Sequence, residues 1–417
     1  MEVFVPLFFV VKHTWWFVTP LILFFISQTT WRYYITRKWK LHIPRTVLEV
    51  KIPQEVFKTP KAMEYVIAGF DGVWEQLNRR DRWIRGQILD WFSLEIVGTA
   101  GEIHFYIEAP TKHVHLVESL IYSQYPDAEV LEVEDYTQFV PPDIPNKDWE
   151  LWGCDLRFQK ENPYPLRRYL EFEEMVEERR LDPIASIAEA CNKLRRNEHI
   201  WIQFIISPTD DRGALREEGE KLVQKLMKRP EKQQESGLMG PLTLMGQELA
   251  GMFGLAAEKK DEKPELPTWP ELTLSPGERD VLKAIEEKIN KTAFETMIRF
   301  VYFARKDVYD KSNISAIFGY FEQFNTFNAN RIRLNSRTYT KRSHFMFRNL
   351  RYRFRQMRLF QWYKMRDTLP GTISPEFLLN AEELATMFHF PGQTVKAPTM
   401  PRVETRKAAP PAGLPIE

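Results

Sequence analysis

The sequence predicts an α+β protein with an N-terminal transmembrane helix, two ferredoxin-like α/β sandwich units related by an internal duplication, and a helical basic C-terminal segment. Three observations support this prediction. The first 40 residues are more apolar than the rest, the middle of the chain follows the order β-α-β-β-α-β twice, and residues 331–366 are unusually basic. The repeated order is that of a ferredoxin-like fold.

Composition sets wide limits on function. The chain has 417 residues, 43% of them hydrophobic and 28% charged, and a net charge of +1. This length allows roughly two or three domains with real cores. The net charge excludes no class of partner. Cys154 and Cys191 stand apart from each other and from any histidine pattern, so neither a disulfide framework nor a zinc site is predicted.

Residues 1–40 are predicted to be a membrane anchor with a basic juxtamembrane segment. A helix that crosses a bilayer needs about 20 residues, and Thr14 to Ile35 supplies that length with Arg32 as its charged residue. A signal peptide is the alternative, but "TTWRYYITRKWK" is a poor cleavage site. Aromatic residues at both ends fit an interfacial belt: Trp15, Trp16, Trp31 and Tyr33. Basic residues after the helix place 36–417 in the cytoplasm.

Residues 41–148 are predicted to be the first sandwich unit. Pro60 suits the first turn of a helix, and Gly98 to Gly101 suits a hairpin between two alternating strands. The predicted strands are 46–53, 86–98, 102–110 and 128–136, and the predicted helices are 59–77 and 111–126.

Residues 149–340 are predicted to be the second unit, interrupted by a mobile insertion at 209–275. Asp182 is a good N-cap and Pro183 a good first helical residue. The insertion is interpreted as a loosely packed surface helix or as a contact with a membrane or partner. The predicted strands are 152–159, 198–208, 293–305 and 330–339, and the predicted helices are 182–196 and 313–325.

Catalytic motifs are absent from the sequence. A P-loop needs G-x-x-x-x-G-K-[ST]; the one glycine pair at that spacing, Gly246 and Gly251, is followed by Met252 and Phe253. No G-x-S-x-G, H-E-x-x-H or G-x-G-x-x-G pattern occurs. His113 and His115 open a helix and diverge, and the acidic run 171–182 reads as a solvated face. We therefore predict no enzyme activity, no cofactor and no metal.

The basic stretch 331–366 is the strongest candidate binding region. No Asp or Glu occurs from Gln323 to Arg366, and aromatic residues alternate with the cations. Three interpretations stay open: packing or docking of a protein, an anionic membrane surface, and single-stranded nucleic acid held by phosphate contacts and stacking. The candidate residues for an anionic partner are Arg331, Arg333, Arg337, Lys341, Arg342, Arg348, Arg351, Arg353, Arg355 and Arg358.

The pattern of residues 341–417 predicts the end of the folded part followed by a linker. Residues 341–392 are predicted to form a basic and aromatic helical segment and a short closing helix that ends at Phe390, Pro391 and Gly392. Residues 393–417 are predicted to be a flexible linker, because proline and alanine dominate their end.

Three stretches together resemble a known family. They are "LEIVGTAGEIHFYIEAPTKHVHLVESLIYSQYPDAEVLEVEDY", "DPIASIAEACNKLRRNEHIWIQFIISP" and "LNAEELATMFHFPGQTVKAPTMPR". They are similar to the N-terminal, membrane-anchored region of bacterial conjugative-transfer (type IV secretion) ATPases of the HerA/FtsK-like class. The resemblance implies a P-loop motor, export of DNA or protein, and assembly at the bacterial inner membrane. In that family a motor domain follows the third stretch, whereas this sequence has none.

The resemblance and the missing P-loop together predict a membrane-tethered, non-catalytic docking and assembly module. Its partners would be the membrane, a P-loop ATPase on another chain and further copies of itself, because such motors work as rings. Two alternatives stay open: a guide that binds nucleic acid through 331–366, and a truncated ATPase that lacks its motor.

Overall fold

A computed structural model describes most of the chain. The described residues are 4–53, 58–172, 182–209, 213–227, 274–342, 346–367 and 377–392, and the side chains of 4–15 and 18 are excluded. The predicted linker 393–417, most of the predicted insertion 209–275 and most of the acidic run 171–182 lie outside this part of the chain.

The described strands form one antiparallel sheet. Successive side chains of a strand point to opposite faces of the sheet. The central strands β2, β6 and β7 are buried almost without interruption, so both faces of the sheet are covered. The strands are β1 Arg45–Lys51, β2 Phe92–Thr99, β3 Glu102–Pro110, β4 Glu129–Val133, β5 Trp149–Phe158, β6 Glu198–Pro208, β7 Ala293–Arg305, β8 Ile332–Leu334 and β9 Phe377–Asn380.

The sheet consists of two similar halves joined edge to edge. Its order is β4-β1-β3-β2-β6-β7-β5-β8, and β9 pairs with β7 beside β5. In each half the first strand lies between the fourth and the third, as in a ferredoxin-like sheet. The halves meet where β2 pairs with β6, from Phe92 opposite Ile206 to Thr99 opposite His199. The two predicted units therefore share one continuous sheet.

Helices cover both faces of this sheet. On one face α2 packs against α3 in the first half, and α4 packs against α7 in the second half. They enclose the larger core, which includes Leu94, Phe204 and Phe300. The helices are α1 Phe4–His42, α2 Pro60–Gly69, α3 Val114–Gln124, α4 Ala185–Asn192, α5 Ala214–Leu226, α6 Pro276–Ile289, α7 Ser312–Glu322, α8 Arg348–Lys364 and α9 Ala381–Met387.

The opposite face of the sheet is covered by α8 and the segment 136–144. The core there is smaller and more aromatic. Trp201 and Phe303 of the sheet pack against Phe360 and Tyr363 of α8. The basic and aromatic segment therefore forms a layer of the fold through one of its sides.

The predicted transmembrane anchor is wrong. Within the described residues, no helix combines the length and the apolar character needed to cross a membrane. The predicted single-pass placement at a bacterial membrane is therefore also wrong. Polar residues recur between residues 14 and 35 and lower the mean hydropathy of this stretch: Thr14, Thr19, Ser27, Gln28, Thr29, Thr30 and Arg32.

The C-terminal half of α1 packs against the sheet domain. Trp16, Trp31 and Tyr33, predicted as belt residues, are exposed, and the side chain of Trp15 lies outside the described part. Trp31 donates from its indole nitrogen to the carbonyl of Trp83 (3.1 Å). Gly86 has a φ of +70°, and a Cβ there would lie 2.4 Å from the backbone of Ile35. Glycine is thus needed for this close approach.

The predicted closing helix lies inside the fold. All of α9 is buried, and Phe388 and Phe390 just after it pack against Phe105 at centroid distances of 5.9 and 5.5 Å. Phe388 also lies 6.1 Å from Phe204 of the other half. The helix therefore seals the junction between the two halves on the face that carries α2.

Candidate docking surface on helix α8

The ten predicted basic residues fall into two groups. Those before α8 lie near the β8 edge, where some already have partners. Arg331 pairs with Glu322 (2.6 Å) and lies over the Phe327 ring. Arg333 donates to the side-chain oxygen of Gln159 (2.9 Å). The remaining ones, Arg337, Lys341 and Arg342, are exposed on the loop that follows.

The five arginines of α8 form the denser group. Arg348, Arg351 and Arg353 are exposed, and Arg355 and Arg358 are half-buried. Within the described part of the chain, Arg348, Arg353, Arg355 and Arg358 take part in no ion pair. These four side chains thus present positive charge that the described residues leave uncompensated.

Crowding of the cations is visible at Arg358. Burial lowers its pKa, and the charge of Arg355 lowers it further. Its guanidinium lies over the ring of Trp362, 4.5 Å from the centroid, and 5.4 Å from that of Phe354. An anion at this position would relieve the repulsion between the two guanidinium groups.

The inner face of α8 holds the helix in place. Gln356, Leu359, Phe360 and Tyr363 are its buried residues. Gln356 donates to the Glu150 carboxylate (2.6 Å) and to the Leu151 carbonyl (2.5 Å) of β5. The ring of Tyr363 lies 5.4 Å from that of Trp201.

The C-terminal end of α8 is fixed by a buried ionic network around Arg366. Its side chain is 3% exposed, so this member of the basic stretch does not face solvent. Its guanidinium donates to Glu95 of β2 (2.9 and 3.1 Å) and to Asp135 (2.6 and 3.2 Å). Gln203 and Tyr136 donate to the same Glu95 carboxylate (both 2.8 Å).

This network joins one arginine to two carboxylates. Burial raises the pKa of Asp135, but the hydrogen bond and charge of Arg366 outweigh burial and leave the pKa below its usual value. Burial raises the pKa of the Tyr136 and Tyr363 hydroxyls, which lie 2.9 Å apart. Arg366 therefore acts as a positioning residue for α8 within the fold.

Asp367, the residue after Arg366, makes further contacts with the sheet and with α1. The carbonyl of Asp367 accepts from Arg299 (3.4 Å), and its carboxylate pairs with Lys40 of α1 (2.9 Å). Arg299 is itself buried and paired with Asp155 of β5 (2.6 Å). Helix α8 is therefore tied to the sheet and to α1.

The outer face of α8 carries an apolar stripe that the sequence analysis missed. Phe347, Leu350, Phe354 and Met357 are 71%, 69%, 60% and 47% exposed. The spacing of Leu350, Phe354 and Met357 places them on one side of the helix, and Phe347 directly precedes the helix. That spacing was visible in the sequence, but the buried face of the same helix has an equally regular pattern.

The described residues contain neither a metal-binding cluster nor an activated cysteine. No cluster of three or more His, Cys, Asp and Glu residues there is arranged to hold a metal ion. Burial raises the pKa of the Cys191 thiol to about 12 and raises that of Cys154 as well, so neither is a good nucleophile. His113 instead pairs with Asp90 (2.9 Å), and His115 with Glu118 (3.2 Å).

Comparison with known proteins identifies a family whose function is unknown. A family profile described as a domain of unknown function (DUF8128) matches residues 44–402. No curated protein matches the chain. Because the profile covers well over half of the sequence, the chain belongs to the DUF8128 family.

Proposed function

We propose that this DUF8128 protein is a non-catalytic docking module that binds a P-loop ATPase of the conjugation or type IV secretion class, carried on a separate chain. One observation carries the docking role: α8 is anchored firmly on its inner face and presents arginines on its outer face. The class of the partner comes from the resemblance in the sequence.

Rigid anchoring favours a docking role. A surface whose backbone is already fixed loses little conformational entropy on binding. Gln356 and Arg366 fix the middle and the end of α8 to the sheet, so its outer side chains start from an ordered helix. A partner with an acidic face would pair with arginines that lack carboxylates of their own in the described part of the chain.

Single-stranded nucleic acid is the second candidate. Phe347 and Phe354 are exposed among the arginines, and aromatic rings between cations are a stacking platform for bases. Binding of this kind weakens steeply with salt, because each neutralised phosphate releases counterions. Fluorescence anisotropy with labelled oligonucleotides at several salt concentrations tests this candidate directly.

Capture of partners by the full-length chain from a lysate of the native host tests the proposal. The informative variant is Arg348→Glu/Arg353→Glu/Arg355→Glu. It reverses three arginines without ion pairs in the described part of the chain. We expect the wild type to recover a P-loop ATPase, identified by mass spectrometry, and the variant to lose it.

A matched control reverses three exposed cations elsewhere. Lys221→Glu/Lys225→Glu/Arg279→Glu makes the same change of net charge on α5 and α6, whose side chains are exposed there. The control should keep the ATPase. Equal recovery with wild type and both variants would remove α8 as the docking site, and the lack of any ATPase with wild type would overturn the function itself.

A deletion that starts at Asn380 is unsuitable for this test. It would remove Leu384, Met387 and Phe388, which are fully buried. Loss of binding would then report unfolding, so substitutions on the exposed side of α8 are the better probe.

A further inference from the structure

We infer that the outer face of α8 receives an amphipathic helix of the partner, with apolar residues along its centre and Asp or Glu along both edges. This inference rests on the proposed docking function and names the chemistry of the partner's binding element. It is carried by the arrangement of apolar and cationic side chains around α8.

The angular order of side chains defines the surface. At about 100° per residue, Leu350, Phe354 and Met357 fall on one narrow strip, on the side of the helix away from buried Leu359 and Tyr363. Phe347, directly before the helix in a left-handed conformation, adds an exposed ring at the N-terminal end. Together these four residues form the outer stripe.

Cations border the outer stripe on both sides. The same rotation places Arg353 and Lys364 along one edge and Arg351, Arg355 and Arg358 along the other. No acidic residue lies on α8. An apolar strip between two basic edges is complementary to a helix with an apolar strip between two acidic edges. Arginine suits this role because its guanidinium binds carboxylates through two parallel hydrogen bonds.

The composition of the outer stripe favours protein over nucleic acid. Leu350 and Met357 have no aromatic face on which a base can stack, and they offer nothing to a phosphate. They gain free energy only if apolar side chains cover them. Large exposed apolar side chains arranged in a row mark protein interfaces in soluble domains.

A second copy of this chain is a poor occupant of the surface. Two α8 helices placed face to face would bring their arginine edges together, and like charges at close range oppose association. Glu150, an acidic side chain beside this helix, is already engaged by Gln356 and Tyr352 (2.6 and 3.3 Å). Charge complementarity therefore points to a different protein.

Photo-crosslinking tests the inference at single residues. The photoreactive residue p-benzoylphenylalanine replaces Leu350 or Phe354 in the full chain, and Tyr65 in a control. Tyr65 is 58% exposed on α2, away from α8. After irradiation in a lysate of the native host, crosslinked peptides are identified by mass spectrometry.

We expect Leu350 and Phe354 to give the same peptide and the Tyr65 control to lack it. That peptide should have apolar residues at a spacing of three or four and acidic residues on either side. A peptide without this pattern, a peptide from this chain itself, a nucleic-acid adduct, or no crosslink at either position would overturn the inference.

Affinity of a synthetic copy of the crosslinked peptide gives a second readout. Leu350→Ser or Phe354→Ser should weaken binding about tenfold or more, as for central interface residues. Met357→Leu should keep the affinity within about threefold, because the two side chains have similar volumes. Equal affinity for all variants would contradict the inference.

The two proposals can fail separately. An acidic amphipathic helix from a protein without a P-loop would support this inference and remove the ATPase as partner. Capture of an ATPase that never crosslinks at Leu350 or Phe354 would keep the proposed function and remove this binding mode.

Discussion

Helices α8 and α9 are neighbours in the chain, but their environments differ. Helix α9 is buried on all sides, and its two glutamates pair inside the protein: Glu383 with Lys288 (3.0 Å) and Glu382 with Lys291 (2.9 Å). Helix α8 buries one face and turns arginines and an apolar stripe to solvent. Whether a charged residue stabilises the fold or is available to bind a partner therefore depends on whether the fold supplies an opposite charge next to it.

The largest expected effect tests the anchor of α8. Arg366→Met would leave Glu95 buried without its cation, and breaking a buried ion pair costs about 3–5 kcal/mol of unfolding free energy. Urea denaturation monitored by tryptophan fluorescence measures the loss. The double variant Glu95→Gln/Arg366→Met should recover only part of it, because Glu95 no longer carries a buried charge but Asp135 still lacks its cation. A loss below about 1 kcal/mol for the single variant would show that α8 is held in another way.

A pair of leucines compares the two helices directly. Leu384 of α9 is fully buried and Leu350 of α8 is 69% exposed. Leu384→Ala should cost about 2–5 kcal/mol because it leaves a cavity, and Leu350→Ala should change stability by about 0.5 kcal/mol or less. The same denaturation measurement serves both variants. Similar losses would mean that the outer stripe is covered by the protein itself.

Acid should weaken the face under α8 before the region of α9. His199 lies on that face, stacked on Phe303 at 4.6 Å, and burial lowers its pKa to about 4. Because its folded pKa is below the unfolded value of 6.5, the unfolded state takes up a proton first. Stability should therefore fall as the pH drops from about 6.5 to 4, by about 1–3 kcal/mol.

The region of α9 has a paired histidine instead. His389 lies 2.9 Å from Asp182. Burial raises the pKa of Asp182, but His389 and the backbone N–H groups of Ile184 and Gly392 together outweigh burial, and the pKa lies below the usual value of 3.8. The contribution of Asp182 to stability is present above pH 3.8 and is lost only at lower pH.

Urea denaturation at pH 4.5 and 7.5 checks the prediction for His199. The loss of stability between the two pH values should be smaller for His199→Gln than for wild type, and an unchanged loss would rule out His199 as the cause.

Local patterns predicted much of the sheet. Three strands have the same bounds in the structure as in the prediction: 102–110, 198–208 and 293–305. Long stretches of this apolar pattern are typical of β-strands, so the prediction was reliable there. Helix bounds were less accurate. The helix predicted at 59–77 ends at Gly69 and continues only as a short 3-10 turn over Phe70–Val73.

For the basic stretch 331–366, the sequence predicted a binding region but not which side chains are exposed. Its composition indicated an anionic partner, and the arginines on the exposed face of α8 are compatible with that hypothesis. The sequence could not show that Arg366 is buried, because its acidic partners Glu95 and Asp135 come from distant strands and loops. It also could not distinguish the outer stripe from the inner one, because both repeat every three or four residues.

The sequence by itself determined the long strands, the repeated β-α-β-β-α-β order and the lack of a P-loop, because these depend on neighbouring residues. It missed the short strand β9, which pairs with the distant β7. It did not determine the role of the first helix, which was predicted to span a membrane. The tertiary structure decided which side of α8 faces solvent and placed the closing stretch 377–390 in the core. The physical reason is that burial depends on residues far apart in the chain, so a charge or an apolar side chain acquires its role only when its neighbours in space are known.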